Sequence, residues 1–168
     1  MKTIWILFFA VIYLPLISIH PQFKQPDKIE IKEIGLDELS EIITNRNGRG
    51  LLINIWATWC LPCKEEIPDL IRLSDQFKDK IDVVGLSIDY PDELESKIYP
   101  FLNQFKINFT IYVNGEKDAE EFINFLNPKW SGALPASFFY DSEGNQIDFM
   151  FGKKAFKEFE EVVLKYMN

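Results

Sequence analysis

The pattern of apolar and polar residues divides the chain into three parts. The run from Ile4 to Ile19 is almost entirely apolar and follows Lys2. It is shorter than the roughly 20 residues that a membrane-spanning helix needs and it contains Pro15, so residues 1–20 are expected to form an export signal peptide or a retained membrane anchor. The polar segment 21–28 contains two prolines and is typical of a linker. Residues 29–168 are expected to form one domain.

The first half of this domain alternates between strand and helix patterns. Short apolar runs bounded by polar residues predict strands, and apolar residues three or four positions apart predict helices. The predicted elements are an edge strand at 29–34, a helix at 36–43, a strand buried on both faces at 51–56, a helix from Cys63 to Phe77 and a second buried strand at 81–88. Two buried strands joined by a helix form a βαβ unit, which places the loop after the first strand at the carboxyl edge of the sheet.

The second half continues the alternation and ends in a hairpin and a helix. The pattern predicts a helix at 92–106, a strand at 109–113, a helix at 118–126, a hairpin formed by 134–140 and 146–151, and a final helix whose inner face carries Phe156, Phe159, Val163 and Tyr166. The whole pattern predicts an α/β domain.

Composition excludes two classes of protein. Of 168 residues, 26 are acidic and 18 are basic, which gives a net charge of −8. A binding site for nucleic acid needs clustered Lys and Arg, so we expect no nucleic-acid partner. The chain contains 15 Phe, which indicates a packed globule and excludes a disordered protein.

The candidate chemistry lies in the only two cysteines, Cys60 and Cys63, which are spaced C-x-x-C where a predicted strand passes into a helix. The positive end of the helix dipole and the free backbone N–H groups favour a thiolate at such a position. Cys60 is therefore the candidate nucleophile. Cys63 lies one turn further along and can attack a mixed disulfide formed by Cys60.

The cysteine pair has two other interpretations. A structural disulfide usually closes a longer loop, because the entropic gain from so short a closure is small. A zinc or copper site would need further soft ligands, but the chain has no other cysteine, and its single histidine, His20, lies outside the domain. We expect no metal and no cofactor.

The segment from Asn54 to Pro68, with Trp59-Cys60-Leu61-Pro62-Cys63 at its centre, resembles the active-site segment of thioredoxin-like proteins, in particular the exported TlpA/ResA-like group. The resemblance extends over roughly residues 30 to 166. It implies a thioredoxin-like fold: a central mixed sheet with helices on both faces, an N-terminal extension and a central strand–helix insert. It also implies that Cys60 attacks, that Cys63 resolves, and that Trp59 covers the site and contacts substrate.

A second mark of this family is a cis-proline that faces the cysteines, which Pro135 resembles. A cis bond before Pro135 would turn the backbone of Leu134 outward, where it could pair with an extended substrate chain beside Cys60. The alternative is an ordinary trans proline at the start of a strand.

The resemblance also identifies a candidate proton acceptor. Thioredoxin carries a buried aspartate in the strand before the cysteines, but the matching residue here is Asn54, which cannot accept a proton. The exported branch instead has a glutamate three residues after the second cysteine, which is Glu66 here. Helical spacing places Glu66 on the side of Leu70 and Leu73, where burial would raise its pKa and allow it to take the proton of Cys63. The alternative is a solvated glutamate with no role.

The expected function is that of a monomeric disulfide reductase in the periplasm or another extracytoplasmic space, tethered there if residues 4–19 are retained. Its expected partners are disulfides of exported proteins, with apocytochrome c as a candidate client, and a membrane thiol carrier as electron donor. A disulfide oxidase or isomerase would use the same residues. A metal-binding or protein-binding module on the same fold, and a peroxide-reducing relative, are further alternatives, although the latter normally lacks a C-x-x-C partner.

Overall fold

A computed structural model describes residues 31–166 of the protein, in which strands and helices alternate. The strands are β1 Lys32–Ile34, β2 Gly50–Trp56, β3 Ile81–Ser87, β4 Thr110–Asn114, β5 Ala136–Tyr140 and β6 Gln146–Phe151. The helices are α1 Leu36–Thr44, α2 Leu61–Gln76, α3 Tyr99–Leu102, α4 Ala119–Leu126 and α5 Phe156–Tyr166.

The strands form one mixed sheet in the order β1-β4-β3-β2-β5-β6. The first four are mutually parallel, whereas β5 runs antiparallel to β2 and β6 runs antiparallel to β5. β2 therefore lies in the interior of the sheet, between the parallel half and the hairpin. The expected α/β architecture and the expected central position of β2 are confirmed.

Both faces of the sheet are covered, and β2 shows why the sequence requires this. All seven residues of β2 are buried. Successive side chains of a strand point to opposite faces. Accordingly, Leu51, Ile53 and Ile55 belong to the apolar cluster that contains the buried side of α1 and α4, whereas Leu52 belongs to the cluster formed with α2 and α5. A strand that is buried along its whole length thus has a helical layer on each side.

The predicted helix at 92–106 is wrong in detail, because the chain forms three short segments instead. A 3₁₀ turn at Pro91–Glu93 is followed by a π-helical turn at Leu94–Ile98 and then by α3. Pro100 has no N–H with which to donate to the residue four positions earlier, and this missing hydrogen bond accounts for the local widening of the helix.

The inner face of α5 also differs from the prediction at one residue. Phe156, Phe159 and Val163 are buried as expected, but Tyr166 is 40% exposed and Val162 is buried in its place. Tyr166 is the last residue of α5, and at the end of a helix the periodicity is a poor guide to burial.

The predicted export segment 1–20 and the linker 21–28 lie outside the described residues. Within residues 31–166, none of the helices has the length and apolar character needed to cross a membrane.

Candidate active site

The two cysteines lie at the junction between β2 and α2, at the carboxyl end of the parallel strands. Cys60 is the N-cap residue of α2, and its Sγ accepts a hydrogen bond from the backbone N–H of Cys63 at 3.2 Å. The two residues form a disulfide bond with a Cα–Cα distance of 5.3 Å. The free N–H groups and the dipole of a 16-residue helix therefore point at the sulfur of Cys60.

The side chains that flank the disulfide differ sharply in exposure. Cys60 and Cys63 are buried in an apolar cluster that includes Trp56. Trp59 and Leu61, one on each side of Cys60 in sequence, are each 67% exposed. In the disulfide form, the exposed side chains of Trp59 and Leu61 thus form an apolar surface beside the buried sulfurs.

The Leu134–Pro135 peptide bond is cis, and the sequence-based alternative of a trans proline is therefore wrong. Leu134 packs against the apolar cluster that contains both cysteines, and Pro135 is buried immediately before β5. β5 is the antiparallel neighbour of β2, with Ala136 opposite Ile55. The proline is thereby placed beside the strand that leads to the cysteines.

Glu66 lies one turn beyond Cys63 on α2, and only 1% of it is exposed. Its Oε2 accepts a hydrogen bond from the backbone N–H of Lys154 at 2.6 Å, and its Oε1 accepts one from the Asn54 side chain at 2.7 Å. Burial raises the pKa of Glu66 from 4.5 to about 7, against the opposing effect of these two hydrogen bonds. The sequence-based alternative of a solvated glutamate is wrong.

The role of Asn54 was missed in the sequence. Its Nδ2 donates both to Glu66 and to Ser137 Oγ, the latter at 3.0 Å, and Asn54 and Ser137 are direct partners in the β2–β5 register. The family resemblance identifies Asn54 only as a residue that cannot accept a proton. A polar residue in the middle of an otherwise apolar strand was the available indication that Asn54 has a buried partner.

A second polar group, also missed in the sequence, lies at the end of β3. Asp89 is 3% exposed, and its carboxylate accepts hydrogen bonds from the Thr58 backbone N–H at 2.8 Å, from Thr58 Oγ1 at 2.7 Å and from Ser87 Oγ at 2.6 Å. Thr58 lies two residues before Cys60. The available indication was positional, because Asp89 directly follows a buried strand that is parallel to β2 and ends at the same edge.

The exposed charges around α2 form weaker contacts. Lys64 donates to the side chain of Gln104 at 2.8 Å, and Glu65 forms an ion pair with Lys153 at 2.8 Å. Ion pairs at this exposure contribute little to stability. Glu65 is an exposed carboxyl next to the buried Glu66 on the same helix, and its substitution is therefore a suitable control for substitution of Glu66.

A cavity of about 890 Å³ is lined by Arg46, Asp82, Thr110 and other mainly polar residues, and neither cysteine lines it. It contains none of the predicted site residues. The buried disulfide is instead flanked by the exposed side chains of Trp59 and Leu61, and this apolar surface suits a macromolecular substrate better than a small molecule. Residues 31–166 contain no cluster of three His, Cys, Asp or Glu side chains suited to a metal ion.

Comparison with known proteins relates the chain to one family. Residues 18–147 match the model of the AhpC/TSA family. The thiol-disulfide oxidoreductase ResA of Bacillus thuringiensis (strain Al Hakam) is 28% identical over 142 residues, which are 83% of this chain and 72% of that protein. The thioredoxin-like protein YneN of Bacillus subtilis (strain 168) is 26% identical over 119 residues, or 71% of this chain and 66% of that protein.

Solved structures show the same fold. A putative thiol:disulfide interchange protein DsbE from Chlorobium tepidum superimposes with a TM-score of 0.61 at 20% identity, covering 73% of this chain and 83% of that one. The pneumococcal exposed lipoprotein thioredoxin Etrx1 from Streptococcus pneumoniae superimposes with a TM-score of 0.60 at 16% identity, covering 80% and 98%. The fold is therefore thioredoxin-like, as the sequence predicted.

Proposed function

The chain is a thioredoxin-like thiol-disulfide oxidoreductase that belongs to the AhpC/TSA family, and we propose that it reduces disulfides of exported proteins through Cys60 and Cys63. One observation carries this proposal: the disulfide occupies the first turn of α2, and a carboxyl group that can exchange a proton near neutral pH is buried one turn further along.

The first step is attack by the Cys60 thiolate on one sulfur of a client disulfide. A bond forms between Cys60 and the client, and the second client sulfur leaves as a thiolate that takes a proton. The N-terminus of α2 stabilises the attacking thiolate through its dipole, and the N–H of Cys63 donates to the same sulfur.

The second step releases the client. Cys63 loses its proton to Glu66 and attacks the sulfur of Cys60. The Cys60–Cys63 disulfide forms, and the client sulfur that was bound to Cys60 leaves as a thiolate that takes the second proton. A pKa of about 7 allows Glu66 to be ionised before this step and protonated after it. The client gains two electrons and two protons, and the protein ends in the disulfide form that the structure describes.

The client is proposed to dock on the apolar surface beside Cys60. Trp59 supplies a projecting aromatic ring, and the backbone of Leu134 before the cis-proline Pro135 pairs with an extended segment of the client. The exposure of Trp59 and the packing of Leu134 against the cysteine cluster support this arrangement.

The site of action is proposed to be extracytoplasmic, with residues 1–20 as export signal or anchor. The apolar run that begins at Ile4 supports this, as does the description of the pneumococcal structural relative as an exposed lipoprotein. A membrane thiol carrier would then re-reduce the protein, and apocytochrome c remains one candidate client.

The reduction potential of the Cys60–Cys63 pair tests the direction of the reaction. We expect a value near that of thioredoxin, about −270 mV, measured by equilibration with glutathione or dithiothreitol. A value near about −120 mV, as found for strong disulfide donors, would overturn the reductase and favour the oxidase alternative. A Cys60→Ser variant should show no reversible couple, and a Cys63→Ser variant should accumulate the mixed disulfide with a client.

A matched pair of variants tests the proton acceptor. Glu66→Gln should slow resolution of the mixed disulfide by about 10- to 100-fold, because general-base assistance typically contributes at least this much. Glu65→Gln removes an exposed carboxyl from the same turn and should change that rate by less than about twofold. Equal rates in the two variants would exclude Glu66 from the mechanism.

A further inference from the structure

The loop that carries Cys60 is attached to the end of β3 by a group of hydrogen bonds. Trp56 and Ser87 are the last register partners of β2 and β3, and the N–H of Ile88 donates to Trp56 O at 2.9 Å. Beyond this point the two segments no longer pair as strands, but the Asp89 carboxylate accepts two hydrogen bonds from Thr58. The carboxylate thus continues the connection between the strands past the end of the sheet.

We infer that Asp89 is a positioning residue, which holds the reactive loop through Thr58 and so fixes the placement of Cys60 and Trp59. The inference rests on the proposed function, which it deepens by naming the group that orders the attacking residue. The Asp89–Thr58–Ser87 group is called the loop clamp below.

The loop clamp acts on a very short piece of chain. The N–H of Cys60 donates to the carbonyl of Ala57 at 3.1 Å, so the four residues 57–60 form a closed turn. Asp89 binds this turn at Thr58, through both its backbone and its side chain. A turn held at one residue and closed by its own hydrogen bond leaves Cys60 little freedom to move relative to β3.

The burial of Asp89 indicates that its hydrogen bonds to Thr58 and Ser87 are needed to hold the carboxylate in this position. Removing a carboxylate from water is costly unless hydrogen bonds replace its hydration. Each hydrogen bond from Thr58 and Ser87 to the Asp89 carboxylate is charge-assisted, and such bonds are stronger and more directional than neutral ones. Geometry of this kind fixes a loop in one arrangement, as attack on a client sulfur requires.

The two most exposed aromatic side chains of residues 31–166 directly follow members of the loop clamp in sequence. Trp59 follows Thr58, and Tyr90, which is 73% exposed, follows Asp89. Because Thr58 is bound to Asp89, the backbone next to Trp59 and the backbone next to Tyr90 are held in place. The loop clamp orders the apolar surface beside the disulfide as well as the sulfur of Cys60.

The test compares Thr58→Val, which removes only the hydroxyl donor, with Thr58→Ser, which retains it. Asp89→Ala and the Asp89→Ala/Thr58→Val double variant complete a cycle. The full chain is used throughout, and far-ultraviolet circular dichroism with urea unfolding establishes that each variant is folded under assay conditions. Two rates are measured: reduction of a protein disulfide, and alkylation of reduced Cys60 by iodoacetamide, followed by mass spectrometry of the Cys60 peptide.

Thr58→Val should lower kcat/KM for the protein disulfide about five- to tenfold. The expected loss corresponds to part of the energy of the charge-assisted hydrogen bond from Thr58 Oγ1 to Asp89, which the variant cannot form. Thr58→Ser should stay within about twofold of the wild type, and Thr58→Val should cost less than about twofold once Asp89 is already alanine. Retention of both rates within about twofold in folded Asp89→Ala, or additive losses in the cycle, would overturn the inference. If the wild type reduced no protein disulfide, the alkylation rates would still test the loop clamp separately from the proposed function.

Discussion

Replacing Glu66 by glutamine should reverse the order of stability between variant and wild type as the pH rises. The carboxyl is buried, and its pKa is raised from 4.5 to about 7 chiefly by burial. Glutamine has nearly the same size but cannot ionise. The variant therefore isolates the free-energy cost of carrying a negative charge at this position.

The magnitude follows from the difference in pKa between the folded and unfolded chain. Each pKa unit corresponds to about 1.4 kcal/mol, so a rise from 4.5 to about 7 means that ionised Glu66 lowers the free energy of unfolding by about 3 kcal/mol. The folded state binds the proton more tightly than the unfolded state. The contribution of Glu66 to stability is thus fully present below about pH 4.5 and is lost as the pH rises to about 7.

A second, pH-independent effect opposes the substitution. Glutamine offers one acceptor oxygen, whereas the carboxyl accepts from both Lys154 and Asn54, so one hydrogen bond is lost at a cost of about 1 kcal/mol. We expect Glu66→Gln to be less stable than the wild type by about 1 kcal/mol at about pH 4.5 and more stable by about 2 kcal/mol at about pH 8.

The assay is urea unfolding of the oxidised proteins across this pH range at constant ionic strength, with Glu65→Gln as the control. Other titrating groups are common to both proteins and cancel in the difference between variant and wild type. Glu65→Gln removes an exposed ion pair and should differ from the wild type by less than about 1 kcal/mol throughout. A difference between Glu66→Gln and the wild type that stayed constant with pH would refute the reasoning.

Three further substitutions have expected effects. Asn54→Asp would place a second carboxyl at the 2.7 Å contact with Glu66; it should cost about 2 kcal/mol or more above about pH 7 and much less in acid, as urea unfolding at both pH values would show. Phe138→Ala would open a cavity in the core, where this side chain is fully buried, and should lower the free energy of unfolding by about 3–5 kcal/mol in the same assay. Gly144→Ala would force a side chain into a backbone with φ of +88° and place its Cβ 2.7 Å from the carbonyl oxygen of Ile43; a loss of about 1–3 kcal/mol should appear as a lower thermal midpoint.

Much of the fold could be predicted from the sequence, because the apolar pattern reflects burial directly. β2 is buried on both faces and has no polar side chain other than Asn54, so its apolar run was sufficient to identify it. The segment after Asp89 could not be predicted in the same way. Its apolar residues recur at helical spacing, but Pro100 interrupts the hydrogen bonding of the backbone and the chain forms short, different turns.

The site residues likewise include some that could be predicted from the sequence and some that could not. Residues close together in sequence, such as Cys60, Cys63 and Glu66, could be placed by helical spacing and by a family resemblance. Asn54 and Asp89 could not, because their partners lie on other elements of the fold. Their contacts depend on how β2 is aligned with β3 and β5, and the local pattern of apolar and polar residues does not reveal this alignment.

The arrangement of these long-range contacts suggests a division of labour between the two sides of β2. On the β5 side, Asn54, which also donates to Ser137, holds the carboxyl group of Glu66, whose protonation accompanies the second step of the proposed reaction. On the β3 side, Asp89 holds the loop before Cys60, which carries out the first step. Because the two sets share no residue, substitutions at Asn54 should alter resolution of the mixed disulfide, whereas those at Asp89 should alter its formation. Stopped-flow measurement of the two phases in Asn54→Leu and Asp89→Ala would test this, and loss of the same phase in both variants would contradict it.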